Sequence, residues 1–201
     1  MSRVSTAVVS CVTLCAVLIG TELIGVADLY AQANIEQAKQ AVAKNAKDPV
    51  THYNLGVVYI KNKKYNEAIA ALQEAVKLKP GYAEAQYNLG IALQKTGRLA
   101  ESVKAYQEAL KLNPANADAH AGIAGAYRES GRLEDAIKSY QTALKTKPNN
   151  AGWHLNLGIV YQNLGDNKNA IAEYEAYLKY NPNAKNAGSI RKTITDLKAQ
   201  K

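Results

Sequence analysis

Residues 83–114 read AEAQYNLGIALQKTGRLAESVKAYQEALKLNP and contain two amphipathic patterns separated by a turn. In the first pattern Leu89 and Leu93 are four residues apart, which places both side chains on one face of a helix. The second pattern has its core positions at intervals of four and three, at Ser102, Tyr106 and Ala109. Gly97 interrupts the chain between the patterns, and Pro114 follows the second. The stretch therefore predicts a pair of helices.

This pattern recurs with a period of 34 residues. The prolines that follow the second helix are Pro80, Pro114, Pro148 and Pro182. A large apolar residue and then a small one recur in the first helix, at Leu55-Gly56, Leu89-Gly90, Ile123-Ala124 and Leu157-Gly158. Helices of about 13 residues are marginal alone, and each pair has apolar residues that only a neighbouring pair can cover. The sequence therefore predicts an all-α solenoid of stacked helix hairpins.

Turn signals set the expected helix ends. The first helices are predicted over 50–62, 84–96, 118–130 and 152–164, and the second helices over 66–78, 100–112, 134–146 and 168–180. Asn116 and Asn150, each two residues after a proline, are predicted to cap the helices that follow them. A lone helix like the second of a pair is predicted from Asn34 to Asn45, and a polar-faced capping helix from Ser189 to Ala199.

The arrangement resembles the tetratricopeptide repeat. Four complete repeats cover 49–184, at residues 49–82, 83–116, 117–150 and 151–184, between an N-terminal helical segment at 34–48 and a capping helix within 185–201. The tryptophan usual near the start of the family's first helix has a counterpart only in Trp153, one position away. The resemblance implies a right-handed superhelix of antiparallel hairpins with the first helices on its concave face, and a protein or peptide partner bound there.

Residues 1–33 have the pattern of a signal peptide. Arg3 precedes an apolar run, and Ala31-Gln32-Ala33 is the small-x-small pattern of a cleavage site, so we predict cleavage before Asn34 and export to the periplasm. An uncleaved membrane anchor is the alternative, and lipidation at Cys11 is a third reading. The chain's two cysteines, Cys11 and Cys15, both lie in this segment, so a cleaved chain would form no disulfide.

The period also identifies candidate groove residues on the first helices. They are Tyr53, Asn54, Val57, Lys61, Tyr87, Asn88, Ile91, Lys95, Gly122, Gly125, Arg128, Leu155, Asn156 and Ile159. An asparagine amide both donates to and accepts from a peptide backbone, so Asn54, Asn88 and Asn156 are candidates to hold an extended segment. The alternative is that these amides bond only to neighbouring helices or water. Gly122 and Gly125 predict a shallow or open patch in the third repeat.

Other constellations favour structural roles. The family's known clamp for a chaperone's C-terminal carboxylate needs positive charge at positions that hold Val50, Asp118 and Gly122 here, so this use is disfavoured. The three histidines, His52, His120 and His154, occupy the same place in different repeats, too far apart to share one metal ion. No nucleophile elbow, phosphate-binding loop or metal-binding helix motif is present in the sequence. We therefore expect no enzyme activity, cofactor, metal or small-molecule substrate.

Two functional hypotheses remain. The first is a protein–protein interaction scaffold of the bacterial cell envelope that binds a peptide or helix in its concave groove. The second is a structural component that binds anionic polymer or a membrane surface through a ladder of lysines, at Lys77, Lys111, Lys145 and Lys179. The net charge of +8 permits anionic partners. Export would remove the chain from nucleic acid, so nucleic acid is not expected as a partner.

Overall fold

A computed structural model describes residues 25–200, and these residues form helices without any strand. The helices are α1 (Val26–Lys44), α2 (Pro49–Lys61), α3 (Tyr65–Leu78), α4 (Ala83–Lys95), α5 (Leu99–Leu112), α6 (Ala117–Glu129), α7 (Leu133–Thr146), α8 (Ala151–Asn163), α9 (Asn167–Tyr180) and α10 (Ala187–Ala199). The prediction of an all-α repeat solenoid is confirmed. Each helix of the four repeats begins and ends within one residue of its predicted bounds.

The order of contacts shows how the helices are arranged. Each helix packs against the helix before it and the helix after it in the chain. The first helices of successive repeats also touch one another, in the order α2, α4, α6, α8. Among the described helices, the second helices α3, α5, α7 and α9 make no contact with one another. The array therefore curves, with the first helices on its inner wall and the second helices outside.

Short polar side chains begin several of the helices. The Asn116 Oδ1 atom accepts a hydrogen bond from the Ala119 backbone N–H at 3.1 Å, and the Asn150 Oδ1 atom accepts one from Trp153 at 3.1 Å. Asp48 caps α2 by the same kind of bond, at 2.9 Å, in front of a proline at the first helical position. Each bond satisfies a backbone donor that a helix start leaves without an intrahelical partner. The predicted asparagine caps are therefore present.

The turn inside each repeat needs a left-handed residue. Gly97, Gly131 and Gly165 hold φ at +76°, +77° and +76°, and Lys63 occupies the same place in the first repeat with φ +58°. The left-handed region costs a residue with a Cβ roughly 1–2 kcal/mol, whereas glycine enters it freely. The first repeat therefore carries local backbone strain that the other three avoid.

The core of each hairpin is a large side chain on the second helix against a small residue on the first. Leu72, Tyr106, Tyr140 and Tyr174 are at most 2% exposed. A Cβ atom added at Gly90 would lie 2.7 Å from Tyr106 Cδ1, and the corresponding position of Gly158 is equally close to Tyr174 Cε1. The buried Ser102 hydroxyl donates to the Gly90 carbonyl oxygen at 2.8 Å, so its polar group is satisfied.

Helix α1 begins eight residues earlier than predicted. The sequence analysis placed its start at Asn34, but Val26–Ala33 continues the same helix, because no Pro or Gly interrupts the chain there. Its residues 31–44 stand one period before α3, and α1 packs against α2. Of the predicted signal peptide, residues 1–24 lie outside the described part of the chain. Between residues 25 and 200, no helix is both long and apolar enough to cross a membrane.

Helix α10 covers the last repeat. Ala187, Ile194 and Leu197 are buried, and the last two share a core cluster with Ala170 and Tyr174 of α9. Its other face carries exposed polar side chains, including Arg191, Lys192 and Asp196. The helix thus shields the apolar side of the fourth repeat and presents charge to water, as a terminal helix of a solenoid must.

Replacing Gly90 by Leu tests the packing of the hairpin. The new side chain would enter space held by the Tyr106 ring, so we expect a loss of roughly 1–3 kcal/mol in the free energy of unfolding. Chemical denaturation monitored by circular dichroism measures this loss. Gly188→Leu is the matched control, because a Cβ there meets nothing within 4 Å. Equal midpoints for the Gly90→Leu variant and the wild type would contradict the assignment.

Replacing Lys63 by Gly tests the strained turn. Relief of the left-handed penalty outweighs the greater chain entropy of glycine, so we expect a gain of about 0.5–1 kcal/mol in the free energy of unfolding. Lys64→Gly serves as control, since Lys64 has φ −87° and has no such strain to lose. Thermal unfolding should separate the two variants, with a higher midpoint for Lys63→Gly alone. The strain account fails if both variants shift the midpoint equally.

Candidate functional site

The inner wall of the array holds the candidate groove residues. All of them lie on the first helices α2, α4, α6 and α8, which are the helices that touch one another across the repeats. The wall is continuous from one first helix to the next. The amide of Gln94 on α4 donates to Glu129 Oε1 on α6 at 2.8 Å, which links two neighbouring first helices directly.

A depression of about 270 Å³ lies at the centre of this wall. Its lining comes from α4, α6, α7 and α8, namely Tyr87, Gln94, Asp118, Ala121, Gly122, Gly125, Arg128, Glu129, Tyr140, Trp153 and Asn156. The structure therefore brings five of the predicted groove residues together here: Tyr87, Gly122, Gly125, Arg128 and Asn156. We call this feature the central depression.

The third repeat departs from the other three at the central depression. Gly122 stands where they have Asn54, Asn88 and Asn156. Gly125 stands where they have Val57, Ile91 and Ile159. Arg128 stands where they have Ile60, Gln94 and Gln162. In this repeat alone, two side chains of the inner wall are missing and a cation takes the place of a neutral residue.

The missing side chains do not leave a simple open patch. A Cβ atom at Gly122 would lie 2.5 Å from Tyr106 Cζ, and one at Gly125 would lie 2.9 Å from Gln94 Nε2. The Tyr106 ring and the Gln94 amide thus fill the space next to both glycines and form part of the wall of the depression. The predicted shallow patch exists as this depression, but it is narrower and more polar than the sequence indicated.

Arg128 is the least satisfied charged group of the depression. Its Nε atom is buried and is the one buried side-chain nitrogen or oxygen of the described residues without a hydrogen-bond partner. Its Nη2 atom lies 3.9 Å from Glu129 Oε1, which is beyond hydrogen-bond distance. The other acid of the depression is already paired, since Lys147 Nζ lies 2.6 Å from Asp118 Oδ2.

The position of Arg128 has a different role in the neighbouring repeats. The Tyr106 hydroxyl donates to Gln94 Oε1 at 3.2 Å, and the Tyr174 hydroxyl donates to Gln162 Oε1 at 2.6 Å. Tyr140 occupies the same place in the third repeat, but a guanidinium has no acceptor atom. Burial raises the pKa of Tyr140, and the nearby Arg128 opposes part of that rise. The tyrosine–glutamine bond is therefore replaced by a contact with a cation.

The three candidate asparagines have different surroundings. Asn88 Nδ2 donates to the Glu84 carbonyl oxygen of its own helix at 2.8 Å, which is the structural use that the sequence analysis left open. Asn156 lines the central depression, and Asn54 lines a separate cleft. The three amides thus lie on one wall, but they do not line a single pocket.

The separate cleft lies between α1 and α2 and measures about 670 Å³. Asn54 and Lys61 line it together with Val58 of α2 and residues of α1 that include Tyr30 and Ala38. Val58 is half-buried, whereas the matching residues of the other repeats, Ala92, Ala126 and Val160, are 0% exposed. The first repeat therefore presents more apolar surface on its inner side than the other three.

Several apolar groove candidates serve the core as well. The Tyr53 ring packs on Tyr82 with ring centroids 5.0 Å apart, and the Tyr87 ring lies 5.7 Å from Tyr106. Ile91, Leu155 and Ile159 pack against core clusters, and Val57 is half-buried. Burial raises the pKa of Tyr87, so its phenol is neutral at physiological pH. Lys95 is exposed at the end of α4.

The histidines and the lysine ladder make local contacts. His52 Nε2 lies 2.9 Å from the Ala46 carbonyl oxygen, and His154 bonds to the Pro148 carbonyl oxygen and to Glu173. In the part of the chain that the structure describes, no three potential metal ligands come together. Lys77 pairs with Glu74 and Lys111 with Glu108 on their own helices.

Sequence reasoning missed some residues of the central depression. Gln94 and Tyr140 were assigned no role in the groove, and Trp153 was read only as part of a repeat pattern. The signal for Gln94 was available, because residues 94, 128 and 162 are 34 apart and only one of them is charged. No comparable signal marks Trp153, because its entry into the depression depends on how α8 packs beside α6.

Solved structures with the same fold support this architecture. A MamA structure is 27% identical, with a TM-score of 0.68, and the match covers 73% of this chain and 80% of that one. MamA from Desulfovibrio magneticus RS-1 is 21% identical, with a TM-score of 0.72 and coverage of 77% and 88%. YrrB, described as a TPR protein with an unusual peptide-binding site, is 19% identical, with a TM-score of 0.69 and coverage of 81% and 84%.

Family models for the repeat match most of the described chain, although no curated protein sequence does. Models of the tetratricopeptide repeat match residues 38–70, 59–97, 87–151 and 127–192. The matches overlap and together cover all four repeats and the start of α10. The 34-residue period, the stacked hairpins and these matches agree, and the chain belongs to the tetratricopeptide repeat family.

Proposed function

We propose that this chain is a protein–protein interaction scaffold that holds an extended segment of a partner along its inner wall. The observation that carries the proposal is the central depression, where aromatic, amide and cationic side chains of three successive repeats converge. Peptide grooves combine an apolar surface with a few polar groups that fix orientation. Tyr87 and Trp153 supply the first, and Asn156 and Arg128 supply the second.

An extended peptide suits the spacing of the amides. Asn54, Asn88 and Asn156 stand on different first helices, so one segment lying across those helices could meet them in turn. Asn88 already donates to its own helix, and its side-chain oxygen can still accept from a peptide N–H. Asn54 and Asn156 can both donate and accept. Backbone recognition of this kind is largely independent of the partner's side chains.

The comparison with YrrB supports the same use of the fold. That protein is described as having an unusual peptide-binding site, and the similarity extends over 81% of this chain. At 19% identity the comparison establishes a common architecture, and peptide binding by this chain is our own proposal. We place it in the bacterial cell envelope on the strength of the predicted signal peptide in residues 1–33.

The polymer-binding alternative has less structural support. Two of the four ladder lysines, Lys77 and Lys111, are engaged by carboxylates one turn away, and the Lys179 Nζ atom lies 5.3 Å from the Tyr180 ring centroid. These local contacts and the helix dipole account for cations at the ends of the second helices. A membrane or polymer is therefore the second candidate.

Joint replacement of Asn54, Asn88 and Asn156 by Ala tests the groove. With the chain purified from the envelope as processed, and its N-terminus identified by mass spectrometry, we expect the wild type to retain a protein partner. We expect the triple variant to retain about tenfold less, since each lost hydrogen bond is worth roughly 0.5–1.5 kcal/mol. Asn66, Asn149 and Asn183, exposed outside the first helices, form the control triple. Undiminished retention by the first variant would reject the groove.

Salt separates the two functional candidates. Binding through the lysine ladder should collapse between low and physiological ionic strength, because exposed charges are screened within a Debye length of about 8–10 Å. Amide and apolar contacts in a groove depend less on salt. We expect partner retention at 150 mM salt to remain within about twofold of that at 20 mM. A loss of most binding over this range would favour the polymer surface instead.

A further inference from the structure

The four repeats serve as internal references for one another, and this makes Arg128 conspicuous. In the second and fourth repeats, a glutamine at its position accepts a hydrogen bond from the core tyrosine. The first repeat pairs two apolar residues there, Ile60 and Leu72. Only the third repeat places an obligate donor beside a donor hydroxyl. Packing of the hairpin therefore gives no reason for an arginine at this position.

The unmet hydrogen bonds of Arg128 show what is missing. The guanidinium has five N–H donors, its buried Nε has no partner, and the nearest carboxylate oxygen, of Glu129, is 3.9 Å away. Leaving a charged donor without a partner is costly, so a ligand that supplies acceptor atoms gains by binding there. The side chain is about one-third exposed, so part of its fork is accessible from the depression.

Room for such a ligand exists in the same repeat. The isoleucine or valine and the asparagine of the other repeats are replaced by Gly125 and Gly122, in front of Arg128 on the same helix. Trp153 and Asn156 close the far side of the depression. Three departures from the repeat pattern thus coincide at one place, where they clear space and supply positive charge.

We propose that Arg128 is the anchor of a subsite in the central depression that binds a carboxylate of the partner peptide. This inference rests on the proposed function and specifies its ligand chemistry. A carboxylate offers two oxygens in the plane of the guanidinium fork, the geometry that gives bidentate bonds. The flanking Glu129 and the paired Asp118 disfavour a doubly charged anion, whereas a single carboxylate matches the single cation. Asn156 can donate to the same group.

Three short peptides test this subsite and distinguish the source of the carboxylate. They are acetyl-Gly-Gln-Gly with a free C-terminus, acetyl-Gly-Glu-Gly amide, and the neutral acetyl-Gly-Gln-Gly amide. Fluorescence of Trp153, the only tryptophan of the chain, and the NMR shift of the Arg128 Nε–H report on binding. We expect a saturable response to at least one acidic peptide and a response at least about tenfold weaker to the neutral one.

Arg128→Gln restores the residue of the second and fourth repeats and is the decisive variant. We expect it to weaken the response of Trp153 to the acidic peptide about tenfold or more, while its thermal midpoint equals or exceeds that of the wild type. A merely structural arginine would lower the midpoint when replaced. Arg191→Gln, on the exposed face of α10, is the matched control and should change neither quantity.

The outcomes separate this inference from the proposed function. Equal responses to acidic and neutral peptides, or an unchanged response in Arg128→Gln, would overturn the carboxylate subsite and leave the groove in place. Absence of any response to the three peptides would also overturn it. Loss of partner retention in the asparagine variant tests the groove itself, and that result does not depend on Arg128.

Discussion

Close approach of the two helices in each hairpin is the constraint on which the structure depends. A leucine or tyrosine of the second helix lies against a glycine or alanine of the first, with no room for a further carbon atom at Gly56, Gly90 or Gly158. This contact fixes how the two helices cross, and so it sets the direction in which the next hairpin must stack. The curvature of the inner wall, and with it the central depression, follows from the repetition of that contact.

The repeat period made most of the fold predictable from sequence. Glycine and proline mark helix ends through local backbone preferences, so helix bounds in the four repeats needed no tertiary information. Helix α1 was the exception, because the start of a helix without a breaker depends on the preceding chain and not on a periodic signal. The site was predicted only in part. Sequence placed Arg128 and Asn156 on the inner wall, but Trp153 and Gln94 enter the depression through packing between repeats.

The third repeat illustrates how stability and recognition compete within one architecture. The glutamines at residues 94 and 162 satisfy the core tyrosines from the inner wall, and this arrangement stabilises the hairpin without a ligand. Arg128 gives up that bond and leaves a buried donor without a partner. Departures from an internally consistent pattern often mark functional positions. Here the other repeats of the same chain define the pattern, so the departure is recognisable without any relative.

The absence of contacts among the outer helices in the described array has a mechanical consequence. Bending the array changes the gaps between second helices without breaking any packing between them, whereas the first helices are in direct contact and tied by the bond between Gln94 and Glu129. Elastic deformation should therefore concentrate on the convex side, like a spring with its coils closed along one edge. A segment clasped across α4, α6 and α8 would stiffen that spring, so occupancy at the middle of the chain would be felt at both ends.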